Sequence, residues 1–360
     1  MLMKSTRLSK HLKYLVYQII YWYVIFLFYI FISGNDTVFT TYFNLLQLDN
    51  LYLNLLVFAS AISLLFFVLN LLLTDRLVRF LPARMIVFFK WMVYFGSAFA
   101  LMLIAARFSV NQLREGNYEE IFQQIPELNI HFFRFLAYFY LSGIIFNFLR
   151  GMRMRMGRIN FIRWFFGILS KPREEERIFM FLDMKSSTTI AEKLFHKKFS
   201  YMMQDIFNFM TIFDSYHGEI YQYLGDGAII SWKVKSGILD CNYLKAFFAF
   251  RKRISARERY FNRKYKLVPG FKAGVHVGYV MALQVGQTRR DISYNGDTIN
   301  TAARIESMCN EYQQDLLISE DLYKRTEDKD AYLFKETGRI KLKGKSKSTG
   351  IYQVKERKTP

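Results

Sequence analysis

Cysteine and histidine are scarce in this chain: Cys241 and Cys309 are the only cysteines in 360 residues, and there are five histidines. Two distant thiols without ligand spacing exclude a disulfide framework and a structural zinc site, and read as reduced core thiols. His196, His217 and His276 stand at no metal-ligand spacing and read as structural. Acidic residues are outnumbered, 30 against 50 basic ones, which leaves a formal net charge of +20. The sequence also lacks internal repeats and low-complexity segments, and its first apolar run lacks the small-residue cleavage site of a signal peptide.

Apolar residues are plentiful, with 52% of the chain hydrophobic and 18% aromatic. That content beside so large a charge fits neither a simple soluble domain nor a simple membrane bundle, and implies two unlike parts. Four runs, Tyr14–Ile32, Leu51–Leu73, Met85–Ala106 and His131–Phe148, approach the roughly 20 residues a helix needs to cross a hydrocarbon core. Residues 1–150 are therefore expected to form an all-α four-helix transmembrane bundle. Lys4, Arg7, Lys10 and Lys13, then Arg76, Arg79 and Arg84, then Arg150, Arg153, Arg155, Arg158 and Arg163 mark one side of the membrane. The other two loops are neutral to acidic, so both termini are expected in the cytoplasm. Lys90 and Arg134 lie near span ends, where long side chains snorkel to the headgroups, with a ligand-sensing role as the alternative.

Residues 151–176 read as a basic amphipathic linker, with Phe161, Trp164, Phe165 and Phe166 as interfacial anchors and Pro172 as its punctuation. Residues 177–360 are about the size of one domain. Its first strand ends at Asp183, and a helix follows, opened by a Thr189 to Glu192 capping box and closed by Gly218. A hairpin comes next, with Gly225-Asp226-Gly227 at its turn. One long helix through NYLKAFFAFRKRISARERYFNRKYK, the strand FKAGVHVGYVMALQVG, a helix from about Asp297 and a terminal strand pair complete the order. This alternation predicts an α/β sandwich on a mixed sheet.

Asp183 at a strand end and Asp226 in a hairpin turn each fit ordinary turn chemistry when taken alone. Two carboxylates at neighbouring strand ends are also how a protein holds hard divalent cations beside a phosphate chain. On a helix from Asp297, Asn300 and Arg304 share a face, while Ile299, Ala302, Ile305 and Cys309 form the buried stripe. An amide and a guanidinium so stacked suit sugar and phosphate oxygens, with arginine supplying charge to a transition state.

IFMFLDMKSSTTIAEKL, GEIYQYLGDGAIISW, GVHVGYV followed by VGQTRRDISYNGDTINTAARIE, and IKLKGKSKSTGIYQV resemble, in order and spacing, the class III nucleotidyl cyclase catalytic domain. The likeness runs from about Arg177 to Val354, and the front half is similar only in general character to the membrane anchors of bacterial members. The resemblance implies a ferredoxin-like α/β sandwich of mixed sheet and flanking helices. It implies that Asp183 and Asp226, with the Met184 carbonyl, hold two divalent cations, Mg2+ or Mn2+. Ser186, Ser187 and Thr188 and the distant Lys343 would meet the phosphates, and Asn300 and Arg304 would act on the transition state. A head-to-tail homodimer with two composite sites is also implied, in a multi-pass protein of the inner, cytoplasmic membrane. The implied reaction is attack of the ribose 3′-hydroxyl on the α-phosphorus of ATP, giving cyclic AMP and pyrophosphate.

Gln222 and Ser293 occupy the positions that in this family read the base, and they depart from its usual pairs; strand alternation sets Gln222 on the face of Ile220 and Leu224, away from Tyr221 and Tyr223. A glutamine amide and a serine oxygen satisfy adenine, while a flipped amide also meets guanine. The absence of a glutamate and the hydroxyl at Ser293 favour ATP, with GTP as the alternative substrate. A second class of reading is a membrane receptor or scaffold with a weakly active cyclase fold. Nucleic acid is not an expected partner: the basic runs of a chain tethered at the membrane have anionic lipid closer to hand.

Overall fold

The computed structural model describes residues 2–33, 51–74, 118–156, 171–286, 291–327, 329–341 and 348–357, with Met85, Met92, Gly96, Phe161, Ile162, Phe165 and Gly167. The chain divides into two compact units, Met1–Phe161 and Ile162–Pro360.

The first unit contains α1 (Leu2–Ser33), α2 (Leu51–Thr74) and α3 (Tyr118–Met156). Its core is aromatic: Trp22 of α1 is fully buried, with its ring 4.8 Å from that of Phe139 on α3 and 5.7 Å from that of Phe66 on α2. Tyrosines tie the helices where apolar packing alone would let them slide. The Tyr21 hydroxyl donates to the Ser142 carbonyl at 2.7 Å, and the Tyr138 hydroxyl to the Ile25 carbonyl at 2.9 Å. Phe28, Phe31, Tyr52, Leu53, Phe133 and Phe148 are exposed, as an apolar solvent would require. Among the described residues, Tyr14–Ser33 and Phe133–Arg153 are long and apolar enough to cross a membrane, and the apolar stretch of α2 is the shorter Leu55–Val68. Most of the expected span Met85–Ala106 lies outside the described residues, among which two such helices are found.

The second unit begins with β1 (Arg173–Met184), α4 (Ser187–Phe209) and a 3-10 segment Met210–Tyr216. The hairpin β2 (Glu219–Tyr223) and β3 (Ala228–Lys233) follows, then α5 (Val234–Ile238), α6 (Asn242–Ser255) and α7 (Glu258–Tyr265). Next come β4 (Phe271–Val285), β5 (Asp291–Asn295), α8 (Asp297–Glu311), β6 (Leu316–Ser319), α9 (Glu320–Arg325), β7 (Tyr332–Lys341) and β8 (Ser348–Glu356). The sheet runs β2-β3-β1-β4-β6-β8-β7, with β5 paired to β4. Among the described strands only β4 and β6 pair in parallel, so the expected mixed sheet is present. β1 is apolar on both faces because both are covered. Ile178, Met180 and Leu182 enter the large core with α4 and α6, while Phe179 faces Ala302 of α8.

Three local expectations are corrected. α4 starts at Ser187, not at a Thr189 capping box: Ser186 is left-handed with φ 54°, and its side chain makes no cap bond. The boundary is set from outside the helix, because Lys185 N–H bonds the Gly270 carbonyl at 2.9 Å and holds the turn against the start of β4. The long basic helix is two helices, α6 and α7, broken after Ser255. The break lets three donors of α7 converge on Asp205 Oδ2 of α4: the Tyr260 hydroxyl at 2.6 Å, the Tyr265 hydroxyl at 2.6 Å and Lys264 Nζ at 2.8 Å. Gln222, finally, does not share a face with Ile220. A bulge between them puts Ile220 opposite Ile230 and Gln222 opposite Ile229, so Ile220 joins the large core and Gln222 turns to the α8 side.

Candidate active site

Asp183 and Asp226 are brought together by a backbone contact. The hairpin turn closes with the Leu224 N–H bonded to the Gly227 carbonyl at 2.9 Å. A Cβ at Gly227 would lie 2.0 Å from the Leu182 carbonyl oxygen and 3.1 Å from the Asp183 Cα. Only glycine allows the turn to press so closely on the end of β1. The two carboxylates feel each other: burial first, and then the charge of Asp226, raise the Asp183 carboxyl above its ordinary range, against the pull of Lys272.

Lys272, on β4 directly opposite Asp183, is a residue that the sequence reading missed. Its side chain is only 7% exposed, and its ammonium lies 3.1 Å from Asp183 Oδ2 and 2.6 Å from Glu306 Oε1 on α8. The two carboxylates raise the lysine pKa despite its burial, while burial raises that of Glu306 despite the lysine. Among the described residues no cation pairs with Asp226. Nor do they contain any cluster of three or more His, Cys, Asp or Glu side chains fit to hold a metal. The donor set is thus two oxygen acids with excess negative charge, which fits hard divalent cations completed by backbone carbonyls, water or phosphate.

The loop after Asp183 is pinned on both sides. Lys185 makes an ion pair with Asp315, to which Arg251 is also bound at 2.8 Å, so the Lys185 ammonium is turned away to a structural partner. Ser186 and Thr188 are exposed and Ser187 half-buried at the start of α4, where backbone N–H groups lack helical acceptors. Lys343 lies outside the described residues.

Asn300 and Arg304 are both exposed on α8, one turn apart, and neither side chain has a partner among the described residues. The opposite face of α8 buries Thr298, Thr301, Ala302, Ile305 and Cys309, with Ile299 half-buried. The helix rides directly on β4: a Cβ at Gly274 would lie 2.0 Å from the Glu306 nitrogen and 2.7 Å from the Ala302 carbonyl oxygen. Thr298 Oγ1 donates to the Tyr279 carbonyl at 2.7 Å and fixes its first turn.

The strands carrying Gln222 and Ser293 meet through aromatic side chains. Tyr221, the bulge residue of β2, stacks edge-on against Tyr294 of β5 at 5.0 Å, and both pack on Phe179. Arg177, fully buried, bonds Glu219 at 3.0 Å and Ser231 at 2.9 Å and lies 5.0 Å above the Tyr294 ring, so it joins the same strands. Gln222 is exposed and Ser293 half-buried. The Ser293 hydroxyl donates to Asn295 Oδ1 at 3.0 Å, which leaves its lone pairs free to accept.

His276 is buried with Nδ1 2.8 Å from Ser319 Oγ, in keeping with a structural role. Cys241 and Cys309 are buried and form no disulfide, and burial pushes the Cys309 thiol up to about 12.

Residues 169–356 match the family model described as the adenylate and guanylate cyclase catalytic domain. The chain is 30% identical over 233 residues to adenylate cyclase 2 of Rhizobium meliloti (strain 1021), covering 64% of this chain and 62% of that protein. It is also 30% identical over 184 residues to adenylate cyclase 1 of the same organism, covering 49% of this chain and 27% of the relative. The chain thus spans less than two thirds of the length of these relatives. Among solved structures, a bacterial light-regulated adenylyl cyclase superposes with a TM-score of 0.52 at 20% identity, covering 69% of this chain and 68% of that one. That likeness is one of fold.

Proposed function

This chain belongs to the adenylate and guanylate cyclase catalytic domain family, and from that premise we propose that it is a membrane-bound adenylate cyclase that converts ATP to cyclic AMP and pyrophosphate. The observation that carries the reading is the pairing of Asp183 with Asp226, imposed by Gly227 in the matched domain. Divalent cations, Mg2+ or Mn2+, would be held by these carboxylates with the Met184 carbonyl, and would supply a more acidic 3′-hydroxyl and a neutralised triphosphate.

The chain's own groups do the rest. The Ser186, Ser187 and Thr188 segment and Lys343 bind phosphate oxygens. Arg304 faces the charge that accumulates on the α-phosphate, and Asn300 orients the ribose. Gln222 donates to adenine N1 and Ser293 accepts from the N6 amino group. The hydroxyl of Ser293, already donated to Asn295, supports adenine over guanine, whose O6 asks for a donor. Asp183 and Asp226 of one subunit serve a site whose Asn300 and Arg304 come from its partner, in a head-to-tail homodimer. The apolar helices anchor the protein in the cytoplasmic membrane as four spans with both termini inside, in contact with lipid, and assist dimerisation. The positive charge of the cytoplasmic loops and the exposed aromatic residues of α1 and α3 support this arrangement.

The test is turnover by the full chain in membranes, with Mg2+ or Mn2+, given ATP and GTP separately. Cyclic AMP formed mainly from ATP, and lost by about a thousandfold or more in Asp226→Ala, is expected for a residue essential to phosphoryl chemistry. Dominant cyclic GMP would reverse the substrate assignment, and no cyclic product with either metal would favour an inactive receptor.

A further inference from the structure

We infer that Lys272 is a positioning residue, a counter-ion shared between Asp183 and Glu306, through which cation binding at the aspartates is felt by helix α8. The inference rests on the proposed metal role of Asp183. Its geometry is independent of that reading: a lysine 7% exposed, 3.1 Å from one carboxylate and 2.6 Å from another on a different element. Glu306 is two residues beyond Arg304, and its backbone nitrogen is packed on β4 at Gly274. Strand register fixes the other end, since Lys272 stands opposite Asp183.

The charges do not balance within this cluster. Asp183, Asp226 and Glu306 carry three negative charges against the single positive charge of Lys272, a deficit that one divalent cation removes. While the aspartates hold no cation, the ammonium is divided between Asp183 and Glu306. Once a cation satisfies Asp183, the pull of that carboxylate on the ammonium weakens and Glu306 has it alone. A buried ion pair strengthens when a competitor is withdrawn from low-dielectric surroundings. The second half of α8 is then held more firmly to β4. In the proposed dimer Asp183 and Arg304 of one chain serve different sites, so the ion chain runs from one site toward the other.

The experiment uses the full chain in detergent without nucleotide. Mn2+ binding is read by electron paramagnetic resonance, and amide hydrogen exchange is followed across residues 303–309. Saturating Mn2+ is expected to slow exchange there by about threefold or more, as local opening becomes costlier. Glu306→Gln, which keeps the shape and an acceptor for Lys272, should bind Mn2+ but show no slowing, whereas Lys272→Arg should retain it. Unchanged exchange in the wild type under Mn2+, with binding that Asp226→Ala abolishes, overturns this inference alone. Slowing that persists in Glu306→Gln overturns it as well. Mn2+ binding that survives Asp226→Ala removes the metal assignment and the inference together.

Discussion

Beneath α4, α6 and α7 the sheet is apolar throughout, and Phe213, Trp232, Phe247, Phe250 and Phe261 are fully buried there. Beneath α8 the apolar residues fall into two small clusters, and Arg177 and Lys272 are buried on the same side. Buried ions are expensive unless every charge is answered, so such a face adds little stability for its area. The difference teaches a division of labour: one face supplies the cohesion of the fold, and the other spends that cohesion on holding charges at fixed positions. The residues proposed for chemistry follow this division, since Asp183, Gln222, Asn300 and Arg304 all belong to the α8 side.

The largest expected effect attacks the apolar face. Phe250→Ala should cost about 3–5 kcal/mol of stability through the cavity it leaves, seen as a lowered thermal midpoint, with Mn2+ affinity unchanged at temperatures where the variant is folded. A variant that loses Mn2+ affinity in step with stability would break the comparison. Arg304→Ala should do the converse, lowering kcat by about 10²- to 10³-fold, as for removal of one transition-state donor, with the thermal midpoint unmoved. Asp205→Asn gives the smallest effect, about 1–2 kcal/mol of stability for hydrogen bonds to a charged, partly screened carboxylate. Burial opposes ionisation of Asp205, but bonds from Lys264, Tyr260 and Tyr265 outweigh it and hold its carboxyl below the usual range. A depressed carboxyl contributes stability above its unfolded pKa and loses it as pH falls through the folded one. The gap between wild type and Asp205→Asn, measured in denaturant, should therefore be full at neutral pH and close below about pH 4. A gap that persists in acid would show that the tyrosines pack there without needing the charge.

The sequence was most readable where a signal is local. Asp183 at a strand end, Asp226 between two glycines, and Asn300 four residues before Arg304 each carry their context within a few neighbours, and the fold preserves it. Lys272 and Glu306 were not readable, because their meeting depends on the register of β1 on β4 and on how closely α8 settles at Gly274. The bulge at Tyr221 escaped for a related reason: strict alternation assigned Gln222 to the face of Ile220, and one extra residue reverses the assignment. β5 and β6, of five and four residues, are too short to show a period. The α6 to α7 break has no glycine or proline to announce it, and the partner it brings α7 to, Asp205, is far away in sequence.

Gly227 makes the two acids proposed to hold metal a single inheritable character. Their separation is gauged by main chain against main chain, at a place where a methyl group would strike the Leu182 carbonyl. A lineage could therefore silence the site while both aspartates remain in its sequence, by one substitution at a residue that has no side chain of its own. Counting acids in such a sequence would report an enzyme. The glycine between them is the better witness.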